Sequence, residues 1–284
     1  MIPVKSLFLC LLFQFFFSLH GTATIERFPF FSTAISGELP PVGDSVKLNG
    51  HYVVSYFKDT WTIVKSPLYW KGKQWLTTGL VLGSTGVAYI FDQRINSFIT
   101  SHQKPWADIT FHIAEPIGNW YTIPVMGLAY LDGHCFHNYP LEKTALLSLK
   151  SYAISALFIN SMKLSFHRHR PNTGDPWNTF DGPGLYFKNL SFPSGHSASA
   201  FAIMTSIALE FRETKWIQVA AYSLAAITAF SRIYENYHWT SDVIMGSAIG
   251  FFTARAVYKI QNGQFSLHKR VDKQKTTNIA LPVL

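Results

Sequence analysis

Apolar residues collect in six runs along the chain, and short polar segments separate the runs. The runs lie near 75–91, 117–131, 144–162, 197–211, 216–230 and 243–260. Each run is long enough for one helix, and strand-type alternation bounded by hairpin dipeptides is scarce. The pattern therefore predicts an all-α protein, built as a bundle of about six core helices.

The first residues, MIPVKSLFLCLLFQFFFSLHGTAT, have the order of parts found in a secretory signal peptide. A lysine precedes an apolar core at 6–19, and the small residues Gly21 and Ala23 precede Thr24. The apolar core is short for a membrane span, which needs about 20 residues. We therefore predict a signal peptide at 1–23 and an exported protein.

Proline and glycine interrupt the next segment, 24–74, which we assign to an N-terminal extension. Its aromatic-rich stretch YVVSYFKDTWTIVKSPLYW predicts an amphipathic helix that ends before Pro67. The apolar runs then define a helical domain at 75–262. The last residues, 263–284, form a basic tail typical of a solvated C-terminus.

The six runs leave open whether the bundle is embedded in a membrane or only associated with one. They are about 15 to 18 residues long, shorter than the ~20 that a bilayer core requires. Lys150 lies in the middle of the third run, and a charge is costly in lipid. We therefore expect a bacterial cell-envelope protein, either a multi-pass protein of the inner membrane or a periplasmic one.

The composition favours a membrane-related protein that attracts anions. Only 14% of the residues are charged while 16% are aromatic, and the formal net charge is +8. Nucleic acid is disfavoured as a partner because no long lysine or arginine run interleaves with the aromatic residues. Anionic lipid headgroups and phosphorylated small molecules remain as candidates.

Three polar clusters lie where apolar runs begin or end. They are KLSFHRHRP with Lys163 and Arg170, FPSGHSASAF with Ser194, Gly195 and His196, and SRIYENYHWTSD with Arg232, His238 and Asp242. The ends of helices in a bundle are positions at which side chains can converge on one pocket. We expect the three clusters to form a single site.

The residue types in these clusters suit a phosphate group. Lys163, Arg170 and Arg232 supply three positive charges, and guanidinium groups match phosphate oxygens in pairs. Ser194 and Gly195 open a helix, whose free backbone N–H groups favour an anion. The predicted substrate is therefore an oxyanion.

The third cluster also contains the elements of a histidine nucleophile. Asp242 follows His238 by four residues, so on a helical turn its carboxylate can hold one ring nitrogen and leave the other free to attack. Attack would form a phosphohistidine and divide the hydrolysis into two easier steps. His196 can then protonate the leaving oxygen as a general acid.

The clusters follow the pattern K-x6-R-P, P-S-G-H and S-R-x5-H-x3-D, and the chain resembles the type 2 phosphatidic acid phosphatase and vanadium haloperoxidase superfamily over about residues 145–260. The resemblance implies a helical bundle and a phosphatase that needs no metal and no cofactor. It implies His238 as nucleophile, His196 as acid and Asp242 as the orienting group. The residues that it assigns to phosphate binding are Lys163, Arg170, Ser194, Gly195 and Arg232.

Several possibilities stay open at this level. The aromatic residues and apolar helices favour a lipid phosphomonoester or pyrophosphate as the substrate, although a soluble phosphate ester remains possible. The alternatives are a vanadium-dependent haloperoxidase and a protein that binds phosphate or phospholipid without catalysis.

His167 and His169 fall outside the pattern and are expected to face the site mouth or solvent, while Asp175 and Asp181 are expected to order the loop between the first two clusters. The oligomeric state is unknown.

Overall fold

The computed structural model describes residues 46–264, in which eight α-helices and three short 3₁₀ turns account for the regular structure. The eight helices, numbered here in chain order, are α1 Gly50–Lys65, α2 Gly72–Ser101, α3 Pro105–Ala114, α4 Thr122–Cys135, α5 Tyr139–Phe166, α6 Gly195–Glu210, α7 Lys215–Tyr234 and α8 Thr240–Gln261. The predicted signal peptide at 1–23 and all but two residues of the predicted tail at 263–284 lie outside the described residues.

The all-α prediction is confirmed, and the six apolar runs correspond to α2 and α4 to α8. The amphipathic helix expected before Pro67 is α1. The short helix α3 was not predicted; it begins at Pro105, whose fixed φ suits the first position of a helix. The second run also begins later than expected, because Glu115–Gly118 forms a 3₁₀ turn that ends before the start of α4.

The expected helix lengths were wrong. Helix α2 has 30 residues, α5 has 28 and α8 has 22, whereas the apolar runs suggested about 15 to 18. The difference arises because polar turns at both ends of a run continue the helix, and some of their side chains, such as Asp92 and Asp242, are buried through polar partners. Among the described helices, α5 and α8 are long and apolar enough to cross a membrane, a property that the core helices of soluble proteins share.

Helix α6 lies at the centre of the bundle, between α5, α7 and α8. Small residues dominate its first half, where Ser197 to Ala200 are all nearly or fully buried. Gly246 and Gly250 of α8 face this surface, and a Cβ atom at either glycine would overlap a carbonyl oxygen of Ser194 or Ala198. The two helices can therefore approach until their backbones touch.

A buried ion pair fastens α1 to the bundle. The ammonium of Lys150 on α5 lies 2.9 Å from the carboxylate of Asp59 and 2.6 Å from the hydroxyl of Ser55, both on α1. The Tyr52 hydroxyl donates to the Leu146 carbonyl oxygen at 2.7 Å. The charge of Lys150 is thus matched inside the protein, so it does not count against a membrane location for α5.

The close approach of α6 and α8 can be tested with Gly250→Ala. We expect a loss of about 1 to 3 kcal/mol of stability, because the added methyl group forces the two backbones apart. Thermal unfolding of the purified protein measures the change. The control is Gly79→Ala on the exposed side of α2, where nothing lies within 4 Å of the new methyl group. It should be neutral or stabilising by up to about 1 kcal/mol, and equal losses in both variants would contradict the packing argument.

Candidate active site

The turn between α7 and α8 places His238 beside Arg232. The backbone N–H groups of Tyr237 and His238 both donate to the carbonyl oxygen of Arg232, at 3.0 and 3.1 Å. Asn236 supplies the left-handed residue that the turn needs, with φ of 61°. The imidazole of His238 is thereby folded back over the last turn of α7.

Asp242, at the third position of α8, accepts hydrogen bonds from several directions. Its donors are the backbone N–H of Trp239 at 3.0 Å, the Ser191 hydroxyl at 2.6 Å and the Arg168 guanidinium at 2.7 Å. The Nδ1 atom of His238 lies 3.5 Å from the same carboxylate. A carboxylate that only accepts from such donors is ionised, which suits it to hold an imidazole by one nitrogen.

The PSGH segment starts α6 against the start of α8. The Ser194 N–H donates to the Asp242 carbonyl oxygen at 2.9 Å, which joins the second cluster to the third. The Ser194 hydroxyl caps α6 by accepting from the N–H and hydroxyl of Ser197. Ser194 is fully buried and is occupied by this cap, so its assignment to phosphate binding stays a prediction.

The remaining site residues line two neighbouring cavities. Arg170, Arg232, His196 and His238 line a cavity of about 620 Å³. Lys163 and Gly195 line a neighbouring cavity of about 230 Å³ that shares His196 with the first. All the predicted cations and both histidines therefore meet at one end of the bundle, around His196.

Burial lowers the pKa of both histidines, that of His196 to about 3, and the positive charges of Arg232, Lys163 and Arg170 act on His196 in the same direction. Burial lowers the pKa of His238 to about 4, and the positive charges of Lys163 and Arg170 add to this effect although the hydrogen bond to Asp242 opposes it. His238 is therefore a neutral imidazole near pH 7. The Nε2 atom of His196 lies 3.9 Å from the Glu115 carboxylate and has no hydrogen-bond partner among the described residues. The atom is buried, and the residue lines both cavities, where a bound ligand would lie beside it.

The loop after α5 contains a correction to the sequence analysis. His167 was expected to face the site mouth or solvent, but it is fully buried. Its two ring nitrogens lie 2.8 and 2.9 Å from the carbonyl oxygens of Gly182 and Tyr186. The residue closes α5 with a left-handed φ of 43°, which turns its side chain inward against the loop. His167 is therefore a structural anchor of the loop.

The expectation that Asp175 and Asp181 order this loop is confirmed. His169 lies between them, with Nδ1 2.6 Å from the Asp175 carboxylate and Nε2 2.9 Å from that of Asp181. Burial alone would lower the pKa of His169, but the hydrogen bonds and charges of the two aspartates raise it overall. The carbonyl oxygen of the same residue accepts a hydrogen bond from the Trp239 indole at 2.9 Å, so this clamp adjoins the turn that carries His238.

Sequence reasoning missed three residues that contact the catalytic carboxylate or its partners, namely Asp92, Arg168 and Ser191. Arg168 stands in the first cluster, where its neighbours Lys163 and Arg170 drew attention instead. Asp92 directly follows an apolar run of α2, and an acid in that position is a usable signal of a buried partner. Ser191 gives no signal in the sequence.

Comparison with known proteins gives a consistent result. Residues 144–266 match the family model of the PAP2 superfamily. The chain is 38% identical to the lipid A 1-phosphatase of Porphyromonas gingivalis over 111 residues, which cover 39% of this chain and 22% of that protein. It is 27% identical to the lipid A 4'-phosphatase of the same organism over 185 residues, which cover 61% of this chain and 74% of that protein. The chain thus spans about a fifth of the first relative.

The fold is similar to the crystal structure of a transmembrane PAP2-type phosphatidylglycerolphosphate phosphatase from Bacillus subtilis. The TM-score is 0.50 at 17% identity, and the match covers 77% of this chain and 100% of that chain. At this identity the likeness concerns the fold alone. The family match includes all three polar clusters, whereas Asp92 on α2 lies outside it.

The His169 clamp predicts a pH-dependent loop. Because its folded pKa is raised, the clamp stabilises the loop fully below about pH 6.5, the unfolded value, and the stabilisation is lost as the pH rises through the folded value. We therefore expect trypsin to cleave after the exposed Lys188 faster at about pH 8.5 than at about pH 6, relative to an unstructured peptide. In His169→Gln, which cannot titrate, this pH dependence should vanish; an unchanged dependence would argue against the clamp.

Proposed function

We propose, from the membership of residues 144–266 in the PAP2 superfamily, that this chain is a lipid phosphatase that hydrolyses a phosphomonoester or pyrophosphate through a phosphohistidine. The observation that carries the proposal is the neutral, buried His238, which lines one cavity with Arg170 and Arg232 and has the Asp242 carboxylate 3.5 Å from its Nδ1 atom. Capture of phosphate alone needs the cations but not this imidazole. The arrangement therefore favours catalysis over simple binding.

The proposed reaction begins with the phosphate held by Lys163, Arg170 and Arg232. Since Nδ1 of His238 is directed to Asp242, Nε2 attacks phosphorus. The bond from phosphorus to the leaving oxygen breaks as the bond from nitrogen to phosphorus forms, and His196 gives the leaving oxygen its proton. Asp242 stabilises the positive charge that develops on the imidazole of His238.

In the second half of the reaction, His196 acts as a base. It takes a proton from a water molecule, whose oxygen attacks the phosphohistidine. The nitrogen–phosphorus bond breaks, inorganic phosphate is released and His238 returns to its neutral state. His196 has then regained the proton that it gave up, so the cycle is balanced in protons and needs no metal and no cofactor.

The exposed surface supports a lipid substrate and a membrane location. Large apolar side chains point outward along α1 and α2, and so extensive an apolar surface is unusual for a protein in water. They include Val53, Phe57, Trp61, Trp75, Leu76, Leu80, Val87, Ile90 and Phe98. The relatives named as lipid A phosphatases support a lipid substrate.

The domain boundaries and the compartment belong to the same proposal. A catalytic domain at 75–262 follows an extension at 24–74, whose helix α1 packs on α5 through Asp59 and Lys150. A signal peptide at 1–23 would deliver the chain to the bacterial cell envelope. The inner membrane suits the apolar outer surface of α1 and α2 better than the periplasm does.

The first test is phosphate release by the purified protein in detergent with a phosphorylated lipid and a metal chelator. We expect release without added metal, and a loss on the order of 10⁴-fold in His238→Ala because the nucleophile is absent. His51→Ala, which removes an exposed histidine of α1, serves as the control and should keep full activity.

Two outcomes of this test would count against the proposal. A requirement for a divalent metal, or full activity of His238→Ala, would exclude the histidine mechanism. Tight phosphate binding without hydrolysis of any phosphorylated lipid would instead indicate a binding protein, and bromide oxidation with vanadate and peroxide would indicate a haloperoxidase.

The role of His196 predicts a dependence on the leaving group. His196→Ala should slow the first step by about 10²-fold or more with an alkyl phosphate, because an alkoxide needs a proton in order to leave. With 4-nitrophenyl phosphate the burst of nitrophenolate should fall less than about tenfold, since this leaving group needs no acid. Arg232→Lys, which weakens the hold on phosphate, should slow both substrates alike. Equal losses for both substrates in His196→Ala would remove the acid from the mechanism.

A further inference from the structure

The carboxylate behind the nucleophile is itself part of a longer buried chain of charges. The Arg168 guanidinium bridges two carboxylates, with Nη1 2.7 Å from Asp242 and Nη2 2.8 Å from Asp92 on α2. Arg168, Asp92 and Asp242 are all fully buried. The order of groups from the catalytic imidazole inward is therefore His238, Asp242, Arg168 and Asp92.

The hydrogen bonds around Asp92 suit an ionised carboxylate. One of its oxygens accepts from the backbone N–H of Ser241 at 3.0 Å, and the other accepts from Arg168. The Ser241 hydroxyl accepts from Arg168 and donates to Asp92. The backbone N–H and the guanidinium can only donate, and together they favour the charged form of Asp92.

Asp92 also occupies a favourable position at the start of α8. Ser241 is the second residue of that helix, and its N–H is one of the groups that the helix itself leaves unpaired. A negative charge at this end is stabilised by the helix dipole. Asp92 therefore holds the first turn of α8, which carries Asp242.

The net charge of Asp242, Arg168 and Asp92 determines how well this group can stabilise a positive His238. When His238 attacks, its ring becomes positive and needs a negative charge behind it. Asp242 alone could not supply one, because the buried guanidinium of Arg168 at 2.7 Å cancels it. With Asp92 included, two carboxylates and one guanidinium leave one net negative charge. Asp92 compensates the positive charge of Arg168, so that Asp242 can act as the anion that the mechanism requires.

We propose that Asp92 is a positioning residue for the phosphatase reaction, which acts through Arg168 to keep Asp242 available as the anion of His238. The inference rests on the proposed function. A purely structural role is the alternative, since breaking any buried ion pair destabilises a protein. The two roles can be distinguished by a second substitution. If Asp92 acts through its charge, removing the charge of Arg168 as well restores the balance. If Asp92 acts only through its contacts, removing Arg168 does not restore them.

The test compares Asp92→Asn with the double variant Asp92→Asn/Arg168→Gln in the full-length protein. Asp92→Asn keeps the size of the side chain and should lower kcat about tenfold to a hundredfold. KM should stay within about twofold, because the phosphate-binding cations are unchanged. In the double variant Asp242 is the one charged group left among positions 92, 168 and 242, so their net charge is again negative. The kcat should therefore recover at least about threefold over the single variant.

Inhibition by inorganic phosphate reports whether the site of each variant is folded. A double variant that is no faster than Asp92→Asn would overturn the proposal, as would a single variant that no longer binds phosphate, because either result indicates a structural role. The control is Asp59→Asn, which removes another buried carboxylate outside the chain of charges and should lower stability with kcat within about twofold of the wild type.

The activity of the wild-type protein distinguishes a failure of the proposed phosphatase function from a failure of the proposed role of Asp92. If wild-type protein releases no phosphate from any phosphorylated lipid, the proposed function fails. If the wild type is active and only the recovery in the double variant is missing, the phosphatase assignment stands and the role of Asp92 is refuted.

Discussion

The site depends on one constraint, which is that a charge removed from water must meet an opposite charge or a full set of hydrogen bonds. At the junction of α2, α8 and the loop after α5, Arg168 meets this condition by lying between Asp92 and Asp242. The three groups fix one another, so the helices that carry them have one relative position. The Asp242 carboxylate is placed by its charge partners as much as by its own helix.

Close backbone packing allows this placement. Gly246 and Gly250 let α8 touch the start of α6, so that the Ser194 N–H reaches the Asp242 carbonyl oxygen at 2.9 Å. The same contact brings His196, one residue after the start of α6, to the cavity that His238 lines. A larger residue at either glycine would separate the acid from the nucleophile. Small residues in the core thus set the distance between the two halves of the proposed reaction.

The sequence was most informative where the chemistry is local. The spacing of His238 and Asp242, and the placement of Lys163 and Arg170 before a proline, lie within short segments whose geometry follows from one helix or turn. Asp92 could not be recognised in this way, because its partner Arg168 is 76 residues away and the pairing exists only once α2 meets the loop after α5. The helices are also longer than the apolar runs, since polar residues such as Asp92 continue a helix beyond the end of its run.

The proposed reaction requires opposite protonation states of two histidines in one field of positive charge. That field favours a neutral His238, which the nucleophile needs, but it also opposes the proton that His196 must hold. The Glu115 carboxylate lies 3.9 Å from Nε2 of His196, and its negative charge favours the protonated form of His196. A bound phosphate dianion adds two negative charges beside the cations and favours it further. Substrate binding therefore offsets the positive charges that lower the pKa of His196. The substrate in this way favours the protonated acid that its own cleavage requires.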